Sequence, residues 1–332
     1  MMVYMATSLR NDNRHPMNSY RHMHISRFKT VCALSITLAA FGSVNLAEAG
    51  WREDVGTLTI GIVQRPDRDF EPETLAGAEA ALSARLDLPV RIVSFPGYAG
   101  LIDAQVSGGV KYAIHTARSF AATLALCGCV DPVSSPVADD GTAGLMAQLV
   151  TTDPAVTSAD DIAKLRLAWV SGAESLPQIL ATAGNPAIER QLAAASTSRY
   201  ETMTEAIAAV NSGEGNAIVL WVPTDADGKP MTSQADEGLT IPASVLWSSS
   251  AVRFGPHAIR NDEPVELRLA LQGLAAASTD SNGSLALDRF RGVFNLHGMS
   301  GHIPATRMNY EPLIERAMSM RLSGNVFDAE KP

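Results

Sequence analysis

Short β-branched apolar runs alternate with longer stretches of helical spacing along most of the chain. Leu58–Val63 (LTIGIV) has the length and composition of a buried strand. Pro72–Leu86 (PETLAGAEAALSARL) carries its Ala and Leu residues at helical intervals, and Pro72 suits a first turn. Val90–Ser94 predicts a second strand. Tyr98–Val106 predicts a helix stopped by Gly108-Gly109, Tyr112–Ile114 a third strand, and Ala117–Leu126 the next helix. Strand and helix in strict alternation is the order of a doubly wound sheet.

A second series of the same kind follows. Leu145–Thr151 and Leu167–Val170 predict strands. Between them Ser158 is placed to cap a helix over Ser158–Lys164, with Asp160 and Asp161 in its first turn. Ser175–Ala183 and Met203–Val210 predict helices, the latter ended by Asn211-Ser212-Gly213, and Ala217–Val222 predicts a strand. Asp227-Gly228-Lys229-Pro230 predicts a hairpin turn. Apolar stretches at Val245–Trp247 and Ala251–Ile259 precede a helix over Pro264–Ala277, with further helices at 285–292 and 310–322. The expected fold is α/β: two doubly wound lobes joined by a hinge. The chain is expected to cross near 138–145 and return near 241–250. Residues 50–142 and 246–332 then form lobe one, and 143–245 lobe two.

The first 49 residues read as a leader outside that fold. Arg27 and Lys29 precede an apolar run from Thr30 to Leu46, and Ala47-Glu48-Ala49 follows as a cleavage site before Gly50. Ser35, Thr37, Gly42, Ser43 and Asn45 interrupt the run, whereas a spanning helix needs about 20 apolar residues. Residues 1–22 are a polar extension, so Met17 or Met23 is a candidate start. The protein is expected to be exported to the periplasm.

Composition narrows the classes. Of the 332 residues, 46% are hydrophobic and 18% charged, which excludes a disordered chain. Net charge is −9, from 26 Lys+Arg against 35 Asp+Glu. The leader takes away Arg10, Arg14, Arg21, Arg27 and Lys29 against only Asp12 and Glu48, so the exported chain is more acidic still. With no basic run, nucleic acid is not an expected partner. Cys32 leaves with the leader, and Cys127 and Cys129 remain in Leu-Cys-Gly-Cys-Val. A local disulfide, two free thiols, a half metal site and a redox motif all stay open, and an oxidising compartment favours the disulfide.

Enzymatic motifs are missing. The sequence contains no G-x-S-x-G, no H-E-x-x-H, no P-loop and no G-x-G-x-x-G after the first strand. His297 and His302 have a weak metal spacing and read as loop histidines in solvent. Neither a catalytic residue, a metal nor a cofactor is expected. An exported two-lobed α/β protein without such chemistry reads as a binding protein that closes on a ligand.

Several segments then resemble one family. Tyr98-Ala99-Gly100-Leu101-Ile102-Asp103-Ala104 and Val110–Ala121 (VKYAIHTARSFA) resemble the Y-x-x-L-I-x-A and V-D-I-A-W-x-G-P-x-S-Y patterns of the phosphate/phosphite/phosphonate-binding proteins of ABC importers, which are periplasmic substrate-binding proteins. Ser158–Leu165, Leu167–Ser175 and Glu205–Leu220 resemble further family segments in the same order, over about residues 57–275. The resemblance implies a periplasmic-binding-protein-like fold, a small polar or anionic ligand held between the lobes, and an ABC permease as partner of a monomer. It implies a site built from Tyr98, His115, Thr116, Ser119, Phe120, Glu174, Ser175 and Asn216. The departures fall on that site. The family's Gly-Pro is Thr116-Ala117, its Tyr is Phe120, its Ser-Thr-Ser is Ala173-Glu174-Ser175, and an Asp is Asn216. Arg118 and His115 are the available compensating cations. A ligand sensor serving a membrane kinase, and an exported hydrolase, are the alternative readings.

Overall fold

A computed structural model describes residues 44–64, 71–171, 186–232, 238–277 and 299–322. The expected helices at 175–183 and 285–292, and the leader up to residue 43, lie outside the described residues. The chain separates into Met1–Leu46 and a second unit, Ala47–Pro332, which holds both sheets.

The first sheet is built from β1 (Leu58–Val63), β2 (Val90–Phe95), β3 (Tyr112–Ile114), β4 (Val130–Ala138), β11 (His257–Arg260) and β12 (Met299–Pro304). Their order is β12-β4-β11-β3-β1-β2. Strands β1, β2 and β3 are parallel; β11 runs antiparallel to both β3 and β4. The helices are α1 (Val44–Val55), α2 (Pro72–Leu86), α3 (Tyr98–Val106), α4 (Ala117–Cys127), α7 (Val265–Ala277) and α8 (Glu311–Leu322). One core joins Ile60, Ile62 and Ile92 to Leu82 of α2 and to Leu267, Leu271 and Leu274 of α7. Gly61 lets α3 approach the sheet, since a Cβ there would meet Leu101 Cδ1 at 2.3 Å and Val110 Cγ1 at 2.9 Å.

The second sheet contains β5 (Gly144–Thr151), β6 (Arg166–Val170), β7 (Ser196–Tyr200), β8 (Ala217–Thr224), β9 (Ser244–Ser248) and β10 (Val252–Arg253). Its order is β10-β5-β8-β6-β7, with β9 also on β5. Helix α6 (Met203–Ser212) covers one face through Ala206 and Val210, against Val150, Ala168 and Ile218. Leu149, Leu167 and Val219 on the other face pack with Ile162 and with Ile188 and Leu192 of α5 (Pro186–Ala194). Both faces are thus buried, as a doubly wound sheet requires. The α/β architecture of two such sheets is the one expected from the sequence.

Four differences from the sequence reading have physical causes. Strand β4 carries Pro132 and Pro136, which argue against an interior strand. A register shift between His257 and Ala258 accommodates Pro132 opposite Ala258, and Pro136 lies opposite His302. Strand β7 (STSRY) is an exposed edge with no apolar signal. Ser158 caps Asp160, yet Ala159–Lys164 is a 3-10 turn and not an α-helix. The apolar stretch Ala251–Ile259 is split between sheets: β10 pairs with β5, and β11 with β3.

The crossings fix the geometry that matters for function. The chain leaves the first sheet at Ala138, where the parallel strand β4 ends, and enters the second at Gly144, opposite Thr224 at the end of β8. It returns from Arg253, opposite Gly144, to His257, opposite Ile114 at the end of β3. Both crossings therefore join the carboxyl ends of the parallel strands of one sheet to those of the other. Phe254 N donates to Ala143 O at 3.1 Å, tying the two crossings together.

Candidate functional site

In open α/β sheets ligands bind beyond the carboxyl ends of the strands, where helix N-termini also point. Three described helices start at that end of the first sheet: α2 after β1, opened by Pro72, then α3 after β2 and α4 after β3. Helix α3 begins after Gly97, in extended conformation (φ −168°), with no side-chain cap. In its first turn Ala99 and Gly100 carry amides that a helix leaves without an intrahelical partner. Ala99 and Gly100 are exposed, while Tyr98 is half-buried against Leu101, Val110 and Ala113.

Helix α4 begins at a closed capping box. Thr116 Oγ1 accepts from Ser119 N at 3.0 Å, and Ser119 Oγ accepts from Thr116 N at 2.9 Å. Phe120 N donates to Thr116 O at 3.0 Å. Two of the first four amides are thereby used, and those of Ala117 and Arg118 stand at the mouth of the helix.

Behind this mouth lies a polar network. His115 Nε2 is 2.6 Å from Gln105 Oε1, and its Nδ1 is 3.1 Å from Ser119 Oγ. Gln105 Nε2 donates to Ala258 O at 3.1 Å. Burial pushes the His115 pKa down to about 3, so the ring is neutral and brings no charge to an anion. This corrects the expectation that His115 is a compensating cation. The Phe120 ring is fully buried, edge-on to Tyr310 at 5.1 Å.

The structure thus brings His115, Thr116, Ser119 and Phe120 together, with Ser119 and His115 turned inward. Tyr98 lies on the neighbouring helix start at the same sheet end. Asn216 is at the other end of its sheet. Its Oδ1 accepts from Arg166 N at 2.7 Å and its Nδ2 donates to Asp153 Oδ2 at 3.3 Å, where β6 and β8 begin. It acts there as a tie between strand starts. Glu174 and Ser175 lie outside the described residues.

Sequence reasoning missed the close approach of the return crossing. A Cβ on Gly255 would meet His115 O at 2.0 Å and Thr116 Cα at 2.5 Å. His115 N donates to Pro256 O at 3.0 Å, and Tyr310 Oη donates to Phe254 O at 2.9 Å. The signal was Gly255 itself, an isolated glycine in an apolar stretch. Arg253 was also missed. Its guanidinium donates to Ala226 O of the second sheet's hairpin turn at 3.0 Å and to Pro304 O of β12.

The histidines expected in solvent also need correction where they are described. His302 is 4% exposed, with its ring centroid 4.5 Å from that of His257 and its Nδ1 3.3 Å from Ser134 Oγ. Burial lowers its pKa to about 4. Tyr112 Oη lies 3.0 Å from His257 Nδ1, and burial raises the tyrosine pKa. Among the described residues no group of three or more His, Cys, Asp or Glu is arranged to hold a metal. No described helix is long and apolar enough to cross a membrane.

No family model matches the chain, and no curated protein does. Solved structures do overlap with it. Transferrin 1 from Manduca sexta matches with a TM-score of 0.52 at 10% identity, over 84% of this chain and 49% of that one. This chain therefore spans about half of that protein's length. A Xanthomonas citri protein bound to ATP matches with a TM-score of 0.47 at 14% identity, over 82% and 99% of the two chains. A binding protein component of an ABC phosphonate transporter from Pseudomonas aeruginosa matches with a TM-score of 0.41 at 15% identity, over 80% and 86%. What the transferrin overlap shows is the fold. That fold is the periplasmic-binding-protein-like one that the two sheets and their double crossing already describe.

Proposed function

We propose that this protein is a periplasmic solute-binding protein that captures a small polar or anionic ligand between two lobes and delivers it to an ABC permease. One observation supports the reading: both crossings connect the carboxyl ends of the parallel strands, so the ends that bind ligands in such sheets would face a common cleft. The proposed lobes divide at those crossings. In lobe one the amides of Ala99 and Gly100 and those of Ala117 and Arg118 would hold the anionic end of the ligand, beside the Tyr98 ring. Arg118 would supply the charge that His115 does not. In lobe two Glu174 and Ser175 would read the ligand's remaining polar groups. Transport, and not catalysis, is the role proposed.

A thermal-shift screen tests this on the exported protein, with phosphate, phosphite, methylphosphonate, a sulfonate, a carboxylate and an amine. A true ligand at about 100 times its Kd adds roughly 2.7 kcal/mol of stability. At least one acid is expected to raise the Tm, and Arg118→Ala is expected to abolish that shift. No shift with any acid, or a shift indifferent to Arg118→Ala, would overturn the proposed site.

A further inference from the structure

Helix α4 ends at Gly128, whose φ of +64° makes the left-handed C-cap, and there Cys127 and Cys129 are bonded to each other. A ring enclosing a single residue removes little entropy from the unfolded chain, because that benefit grows with loop length. The fold therefore gains little from this bridge. Both cysteines are half-buried, and Gly128 between them is exposed.

The two sulfurs sit in unlike surroundings. Cys129 Sγ lies 3.6 Å from the Arg260 guanidinium. Arg260 also donates to Gln105 O at 2.7 Å and pairs with Asp262 at 2.7 Å, so it is fixed in place. Cys127 is the last residue of α4, at the negative end of the helix dipole, and its Sγ lies 3.4 Å from Thr123 O. The Cys129 amide, 3.1 Å from Cys127 Sγ, is a neutral donor and offsets this only in part. Other charges nearby are Glu263, which faces Arg260 and lies 3.9 Å from Lys111, Arg321, which donates to Ala125 O in the last turn of α4, and Asp131, which is occupied by Arg268 and Arg307. Asp262 takes the Nε and Nη2 edge of Arg260, which leaves Nη1 facing Cys129 Sγ. A thiolate is thus favoured at Cys129 over Cys127.

We propose that Cys127–Cys129 is a reactive disulfide, an exchange site for small thiols in which Cys127 is the sulfur attacked and Cys129 the leaving group. A thiolate, such as that of glutathione, attacks Cys127 Sγ. The S–S bond breaks, a mixed disulfide forms on Cys127, and the electron pair leaves on Cys129 as a thiolate facing Arg260. A second thiolate then attacks the glutathione sulfur of that mixed disulfide, releasing oxidised glutathione and the Cys127 thiolate, which takes a proton from water. Exchange is fastest when the departing thiol has the lower pKa, which fixes the direction.

The test treats the folded exported protein with reduced glutathione at neutral pH, quenches by alkylation and maps the products by mass spectrometry. Glutathione is expected on Cys127 and the alkyl group on Cys129. Arg260→Met is expected to slow the opening about tenfold, and Arg260→Lys to restore much of it. After full reduction of wild type, Cys129 is expected to react with iodoacetamide at lower pH than Cys127, a readout that needs no variant to fold. The proposal falls if glutathione maps to Cys129, if the bridge opens only when urea unfolds the protein, or if the two thiols alkylate with the same pH profile.

Discussion

At the residue scale, the pattern that located His115 also misassigned its role. Its neighbours suggested a ligand contact, but the side chain is 4% exposed and spends both ring nitrogens on Gln105 and Ser119. A histidine held neutral by burial is a liability in acid. Its folded pKa of about 3 lies below the unfolded value of about 6.5. The unfolded state therefore binds the proton first, and stability present above pH 6.5 is lost as pH falls toward the folded value. The same sign holds for His302, at about 4. Each should cost about 2 kcal/mol between pH 7.5 and pH 5. Urea denaturation at the two pH values is expected to show His115→Gln removing one such increment. An unchanged pH slope in the variant would show that the ring is protonated without cost.

At the element scale, helices and strands with strong periodicity were legible and edges were not. Pro72–Leu86, Tyr98–Val106 and Tyr112–Ile114 were readable to the residue because each has a regular apolar face and a clear stop. Strand β4 was hidden by two prolines, β7 by an exposed polar sequence, and the junction of β10 and β11 by unbroken apolarity. The helix starts of the candidate site were legible for the same periodic reason. What lay across from them was not, because the approach of Gly255 to Thr116 joins residues more than a hundred positions apart. The Gly255 contacts are to backbone atoms, at 2.0 and 2.5 Å, and cannot be relieved by a rotamer change. Gly255→Ala should therefore destabilise by about 3 kcal/mol or more, toward the upper range for single substitutions. Gly273→Ala, where a Cβ meets nothing within 4 Å, should be neutral or mildly stabilising. Equal effects of the two in a denaturant titration would mean that the return crossing does not press on α4.

At the scale of the whole molecule, a buried polar group stands unsatisfied where the chain enters the second sheet. Thr224, at the end of β8 opposite Gly144, is 1% exposed, and its hydroxyl is buried without a hydrogen-bond partner. Leaving such a group unsatisfied costs about 1–3 kcal/mol. Its backbone is fully engaged, with Ala143 N donating to Thr224 O at 2.8 Å, so the cost falls on the side chain alone. A buried orphan at the point where two lobes join is explained if the crossings take a second arrangement that hydrates it. Arg253 opposes that change, since its guanidinium spans from Ala226 O, in the turn after β8 of the second sheet, to Pro304 O of β12 in the first. Thr224→Val keeps the shape and removes the hydroxyl. It is expected to raise stability by about 1 kcal/mol and to leave the radius of gyration of the ligand-free protein at or below that of wild type. Arg253→Ala is expected to do the reverse, enlarging the ligand-free molecule in solution scattering, while any acid that raises the Tm in the thermal-shift screen restores the wild-type size. If both variants scatter as wild type does, with and without ligand, the crossings are a fixed joint and the orphan hydroxyl is a plain packing defect.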